Sequence, residues 1–541
     1  MKKLLCLLLC LAMAISLFSA CGSTATKTAP EESNNTPAEE NEKIILATEA
    51  DTTDVTVKRG GTLVLAKAKA MSTGLDLTRT DDSSSHYTVL AQIYESLLTL
   101  DESGNATPKL ATEWKIADDG LSITLKLRED VSFSNGEKFN ADAVAKCLNY
   151  YLTDECNHYY RPTDLATFES AEALDEYTVR INLLSTDAAL ELKLSGSVGF
   201  IMAPSSIDNK DYATNPVGTG PFVLEEYREG EYVTVTANPN YYEMGEDGQP
   251  LPYLDRIKYI MISDDTTQLT NLKSGDVDGI DRHASVSSVI SAQKLDGVSI
   301  YQNPLTQIYN IAANMSDPTV GTNLALREAI AYATNPQEIL DIALEGYGEY
   351  VPFWSTPSRW FYDEYNPYYY DLDKAKEKIA EAGYAGGLDL EMAVIAREPD
   401  NTMAQLIQSQ LAEIGINITI NSMDAGSWVT YCQQEAKHQI SLMMSGNAGY
   451  HPSRQWPSHF ARMGNCAEMD EMYALLKQAQ TETDQSEGYK LIDQVQHIYM
   501  DNCMGTTIGN KYFYGSFRNT VHNVKFNYYG WLEFGNVWMD A

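Results

Sequence analysis

Leu388-Asp389-Leu390-Glu391-Met392-Ala393-Val394-Ile395 and Ile416-Asn417-Ile418-Thr419-Ile420 decide the fold class. Each reads as a strand, and Thr402 to Ile414 between them reads as a helix. Upstream, Leu324 to Ala333, Gln337 to Leu344 and Leu372 to Ala382 read as further helices. This order predicts an α/β domain with helices packed on a sheet.

Before residue 324 strands dominate. Gly60-Gly61 leads into the apolar strand Thr62 to Ala66, and Tyr87 to Leu98 carries apolar residues at helical spacing. Trp114 to Ile116, the turn Asp118-Asp119-Gly120 and the alternating run Leu121 to Leu127 predict a hairpin. Asn140 caps a helix running to Tyr150, and Tyr177 to Ile181 alternates as a strand. Strands at Phe222 to Tyr227, Tyr232 to Ala237 and Ile257 to Ile262 precede a helix at Asp265 to Lys273, which Gly275 ends. Tyr512 to Trp538 returns to short aromatic strands.

At about 150 residues per domain, 541 residues predict roughly three domains. Lys and Arg total 39 against 75 Asp and Glu, a net charge of −36, and such a field disfavours nucleic acid and anionic membrane surfaces as partners. An apolar fraction of 44% excludes disorder throughout.

Residues 1–20 read as an export signal: Lys2 and Lys3, an apolar stretch to Phe18, then Ser19-Ala20 before Cys21. Residues 22–57, rich in Thr, Ser, Asn, Glu and Ala, read as a flexible tether, which as a random coil would span on the order of 30 Å. Cys147, Cys156, Cys432, Cys466 and Cys503 are an odd, scattered set without Cys-x-x-Cys spacing, so neither a disulfide framework nor a zinc site is expected.

The common catalytic signatures are missing. There is no Gly-Lys dipeptide for a phosphate loop, no Gly-x-Ser-x-Gly elbow and no His-Glu-x-x-His. The histidines at 86, 158, 283, 438, 451, 459, 497 and 522 never stand three or four apart, and Asp276, Asp278 and Asp281 break the calcium-loop spacing. No catalytic residue, metal or cofactor is expected.

Eight runs then stand in one order: Gly61 to Val64, Ile93-Tyr94-Glu95-Ser96-Leu97, Pro108 to Trp114, Leu127 to Phe133, Asn215-Pro216-Val217-Gly218-Thr219-Gly220-Pro221-Phe222, Leu272 to Asp278, Ala325 to Ile330 and Ala382-Gly383-Tyr384. From about residue 60 onward the sequence resembles the family 5 extracellular solute-binding proteins of ABC importers, the oligopeptide, dipeptide and nickel group. The resemblance implies an α/β, two-lobed periplasmic-binding-protein type II fold with an extra inserted domain, three domains in all. Lobe I would comprise 58–95, 205–302 and 501–541, the insert 96–204 and lobe II 303–500. Trp114 would fill the insert's core, and the glycines of 218–220 would permit a tight turn. The run Leu17-Phe18-Ser19-Ala20-Cys21 resembles a bacterial lipobox, so Cys21 would carry a diacylglyceryl anchor.

The implied function is capture of a peptide-like or other small solute by lobe closure, with delivery to permease and ATPase subunits. The chain would be a monomer on the outer face of the bacterial cytoplasmic membrane, held by lipid alone. In peptide-binding branches a Trp and an Asp in lobe II meet the peptide, and alignment on Pro452 places Ser445 and Ala448 there. Without that carboxylate a buried ammonium loses its partner, so simple di- and tripeptides should bind poorly. Oligosaccharide, opine or metal-chelate ligands fit the same fold. Aromatic candidates for the pocket are Trp428, Tyr450 and Trp456, with His451 beside them; Arg359, Asp82 and Ser84 are the polar candidates. Two other classes compete: a surface hydrolase, for which no nucleophile is found, and a sensory or chaperone lipoprotein.

Overall fold

A computed structural model describes residues 44–47, 56–68, 71, 73–79, 86–355, 365–447 and 451–540. Among the described residues, its central sheet has eleven strands. In chain order they are β1 (Thr62–Lys67), β2 (Phe222–Arg228), β3 (Tyr232–Ala237), β4 (Arg256–Met261), β5 (Gly279–Ile280), β6 (Val298–Ala313), β7 (Gly348–Glu349), β8 (Leu388–Ile395), β9 (Ile416–Met423), β10 (Ile440–Asn447) and β11 (Gly505–Arg518). Across the sheet the order is β9-β8-β10-β6-β11-β5-β1-β4-β3-β2, with β7 pairing β11. The strand–helix–strand unit is present: β8 runs parallel to β9 from Leu388↔Ile416 to Ile395↔Met423, joined by the helix Asp400–Ala412.

β6 and β11, of 16 and 14 residues, tie the two halves together. They pair antiparallel from Val298↔Arg518 to Ala312↔Gly505, and the register slips between Asn303 and Thr306. At one end β11 pairs β5 through Gly279↔Phe517; at the other β6 pairs β10 from Thr306 to Ala313. Two large apolar clusters flank this crossing, one drawn from residues 63–259 and 517–537, the other from 308–508.

A separate antiparallel sheet, Ala111–Ile116, Ser122–Leu127, Thr178–Leu183 and Phe168–Asp175 in spatial order, carries the helix Ala141–Tyr151. Asn140 caps that helix by accepting from the Ala143 N–H at 3.0 Å. Trp114 does not fill the core of this region. It is half-buried at the edge, where its Nε1 donates to Glu191 at 2.7 Å. Gly218 and Gly220 are needed for close approach rather than for a turn: a Cβ on either would lie 2.2 Å from the Ile93 carbonyl oxygen and 2.5 Å from that of Gln92, respectively.

Three further expectations are corrected. The helix from Tyr87 ends at Ile93, because the chain turns into the strand Leu98–Leu100. No element is expected over Trp456 from the sequence pattern, whereas the structure has the helix Pro452–Phe460 there, with Pro at its first position and His451 as cap. The expected tether is not free along its whole length, since Leu46 bridges Ile300 of β6 and the Ala47 N–H donates to the Ile300 carbonyl at 2.8 Å.

Candidate functional site

In α/β sheets ligands bind outside the carboxyl ends of parallel strands. Two such sets exist here: β1 with β4 and β5, and β8 with β9 and β10. At the first stand Lys67, Asp281, Arg282 and His283; at the second, Arg397 and Asp400. The pairing Gln307↔Lys511 and Tyr309↔Met444 sets Gln307, Tyr309, Met444, Lys511 and Phe513 on one face of β10-β6-β11 between them.

Charges gather on this face. Lys67 and Asp281 form a sealed ion pair of 2.7 Å. The Arg282 guanidinium lies 3.4 Å from the centre of the Phe513 ring, and the Lys511 ammonium lies 5.9 Å from the same ring. Arg397 reaches the Asp400 carboxylate at 3.3 Å and the Met444 sulfur at 3.3 Å. Burial, reinforced by Arg282, holds the Lys511 ammonium pKa below its ordinary value, and burial brings Arg282 down to about 10. Burial raises the Asp400 carboxyl pKa against the pull of Arg397. His283 bridges the hydroxyls of Ser288 and Ser516 at 2.7 and 2.8 Å, and burial drops its pKa to about 3, so it is neutral.

The residues singled out from sequence fall differently. Asp82, Ser84, Arg359, Ala448 and Tyr450 lie outside the described residues, as does Cys21. Ser445 is on β10 but on the opposite face to Met444, where its hydroxyl meets His459 Nδ1 at 2.8 Å. Trp456 is fully buried against Phe353 and Trp354, so neither it nor Ser445 is brought to the charged face. Trp428 follows the carboxyl end of β9 and is buried with its Nε1 unpartnered among the described residues. His451 caps its helix by accepting from the Ser453 N–H at 3.2 Å. Arg282, Arg397 and Lys511 were not singled out. The available sign was position: Arg282 and Arg397 each stand two residues past a strand's last apolar residue, and Lys511 is a cation in the middle of a long strand, directly before Tyr512-Phe513-Tyr514.

A family model for bacterial extracellular solute-binding proteins, family 5, matches residues 105–464. The chain belongs to that family. Glutathione-binding protein GsiB of Escherichia coli O1:K1 / APEC is 28% identical over 386 residues, covering 70% of this chain and 74% of the relative. NikA from Brucella suis, solved with Fe(III)-EDTA, superposes with a TM-score of 0.77 at 21% identity, covering 89% of this chain and 100% of NikA. DppA from Helicobacter pylori, solved with the peptide STSA, gives 0.70 at 23%, covering 90% and 99%. The fold is thus the type II periplasmic-binding-protein fold, and the chain is a solute-binding protein of the type that serves ABC importers.

Several shared family motifs do structural work. Glu95 pairs with Lys109 at 2.9 Å and accepts hydroxyls from Thr219, Tyr241 and Tyr242, so three runs distant in sequence meet at one carboxylate. A cavity of about 610 Å³ adjoins this knot, lined also by Phe200, Trp531 and Glu533. It lies away from the carboxyl ends of the parallel strands, whose charged side chains do not line it.

Proposed function

We propose that this family 5 protein captures a small solute between two lobes that hinge about β6 and β11, and hands it to an ABC permease. The carrying observation is that Lys511, on the long strand β11, stands within electrostatic reach of Arg282 past one parallel-strand set and of Arg397 and Asp400 past the other. A solute touching both sides favours the closed arrangement by its differential affinity. The lobes follow the boundaries given by the resemblance, with 96–204 as the insert. The contacts we assign are Arg282, Arg397 and Lys511, joined by Asp82, Ser84, Arg359, Ala448 and Tyr450 on sequence grounds. The chain acts outside the cytoplasmic membrane as a monomer, retained through acylated Cys21.

The role is binding rather than turnover. Ser445 with His459 and Ser288 with His283 pair a hydroxyl with an imidazole, yet all four are buried, and burial holds both imidazole pKa values far below the ordinary value. The solutes in the relatives' names, glutathione, a peptide and a metal chelate, fit capture by one cleft of varied lining. Small-angle scattering with and without a solute pool tests this: a smaller radius of gyration on binding is expected, and an unchanged one with every solute refutes it. Loss of membrane retention in Cys21→Ser tests the anchor.

A further inference from the structure

The protein carries 75 acidic against 39 basic residues, yet on the cleft face the balance reverses. Lys511 stands within electrostatic reach of two arginines, Arg282 and Arg397, and of two carboxylates, Asp400 and Asp265. Arg397 is engaged by Asp400, and Asp265, which accepts from the Ser285 hydroxyl at 3.0 Å and keeps its charge, is the one carboxylate left in reach of Lys511. Lys67 and Asp281 neutralise each other. His283 adds no charge. Among the described residues this leaves Arg282 and Lys511 with no ion pair and no hydrogen bond, both standing over the ring of Phe513.

Two like charges held against one ring, half-buried and unpaired, repel each other and lose hydration. An anion bound at this point relieves both costs. An arginine fork and a lysine point charge together suit a carboxylate, the fork giving geometry and the ammonium adding field. We propose that the captured solute is a small molecule of net negative charge, with a carboxylate seated between Arg282 and Lys511 over Phe513. This rests on the capture reading above and deepens it. Arg397, half-exposed and only loosely engaged by Asp400, is placed to take a second anionic group.

Calorimetry and thermal shift with glutathione and citrate, against glutathione diethyl ester, triethyl citrate and trilysine, test the assignment. An anionic probe should bind, its ester at least tenfold more weakly, and its affinity should fall as NaCl rises from 50 to 500 mM. Arg282→Gln and Lys511→Met should each weaken the anion at least tenfold, while Lys511→Arg retains most of the binding; circular dichroism checks that each variant folds. Should esters or trilysine close the lobes when the anions do not, capture stands and the anion assignment falls. Anion binding by Arg282→Gln and Lys511→Met as tight as the parent's also overturns it. If no probe of either charge binds, the anion assignment falls, and the capture reading is decided separately by the scattering test with the solute pool.

Discussion

The Arg454 guanidinium meets the Asp164 carboxylate at 2.8 Å and lies 4.9 Å from the centre of the Tyr160 ring. Arg454 belongs to the helix Pro452–Phe460, beside β10, whereas Asp164 and Tyr160 sit next to the four-stranded sheet. Two hydrogen bonds run alongside, from the Ala188 N–H to the Gln480 carbonyl at 2.8 Å and from the Thr186 hydroxyl to the Thr481 carbonyl at 2.6 Å. On the capture reading proposed above, these contacts join the two lobes and break when the lobes open. Replacing Arg454 by Met removes the guanidinium from a carboxylate that is 6% exposed, and opening the halves rehydrates that carboxylate. Arg454→Met should therefore expand the protein in small-angle scattering and weaken solute binding by about tenfold, equivalent to roughly 1.4 kcal/mol. Adding Asp164→Asn should recover part of the loss.

Lys67 ends β1 and is wholly buried, and Asp281 just past β5 is its partner. Lys67→Met keeps the volume but leaves Asp281 buried and uncompensated, at a cost of about 3–5 kcal/mol in urea unfolding. The double variant Lys67→Met, Asp281→Leu should lose much less, because it removes both desolvated charges. If the two variants are equally unstable, the pair is not what holds these strand ends.

Much of this architecture was legible in the chain. Leu388 to Ile395 alternates or clusters apolar residues because β8 is a central strand, and that strand is found with the same ends. The helices Ala467–Thr481 and Gln485–Asp501 left little sign, since only Met469, Met472, Leu476 and Ala479 of the first are buried, a narrow stripe in a polar run. The lengths of β6 and β11 were likewise hidden, because polar residues such as Asn303, Gln307, Asn310 and Lys511 interrupt them where they cross between cores. For the site, alignment on Pro452 pointed to Ser445 on β10 but could not tell which side of the strand it serves. Register decides that, and it places Met444 rather than Ser445 beside Arg397. Lys511 acquires meaning only when Arg282, distant in sequence, is brought over the same ring.

Gly218 sits where the chain passes the end of the helix Tyr87–Ile93, and a Cβ there would also meet the Tyr94 ring at 2.7 Å. The nearest atom is a backbone oxygen, which cannot swing aside as a flexible side chain would. Gly218→Ala should lower the melting temperature through about 1–3 kcal/mol of overpacking. Gly61→Ala is the contrast: no atom lies near its Cβ, so its cost comes only from a φ of +89°.

Acid should unfold the protein through its buried histidines. Burial lowers the pKa of His438 and of His86 to about 4, and that of His283 to about 3. The unfolded value is near 6.5, so across the interval below it the unfolded chain binds protons that the folded chain refuses. Stability is thus fully present above pH 6.5 and declines as pH falls toward 4, by up to about 1.4 kcal/mol per pH unit for each histidine. His438 isolates the effect, because both its ring nitrogens are buried and unpartnered among the described residues. His438→Leu removes one titrating group without breaking a ring hydrogen bond. Urea midpoints between pH 7 and 4.5 should show the variant at least as stable as the parent and its acid slope shallower by about one histidine. A slope identical to the parent's would mean that His438 already accepts a proton in the folded state.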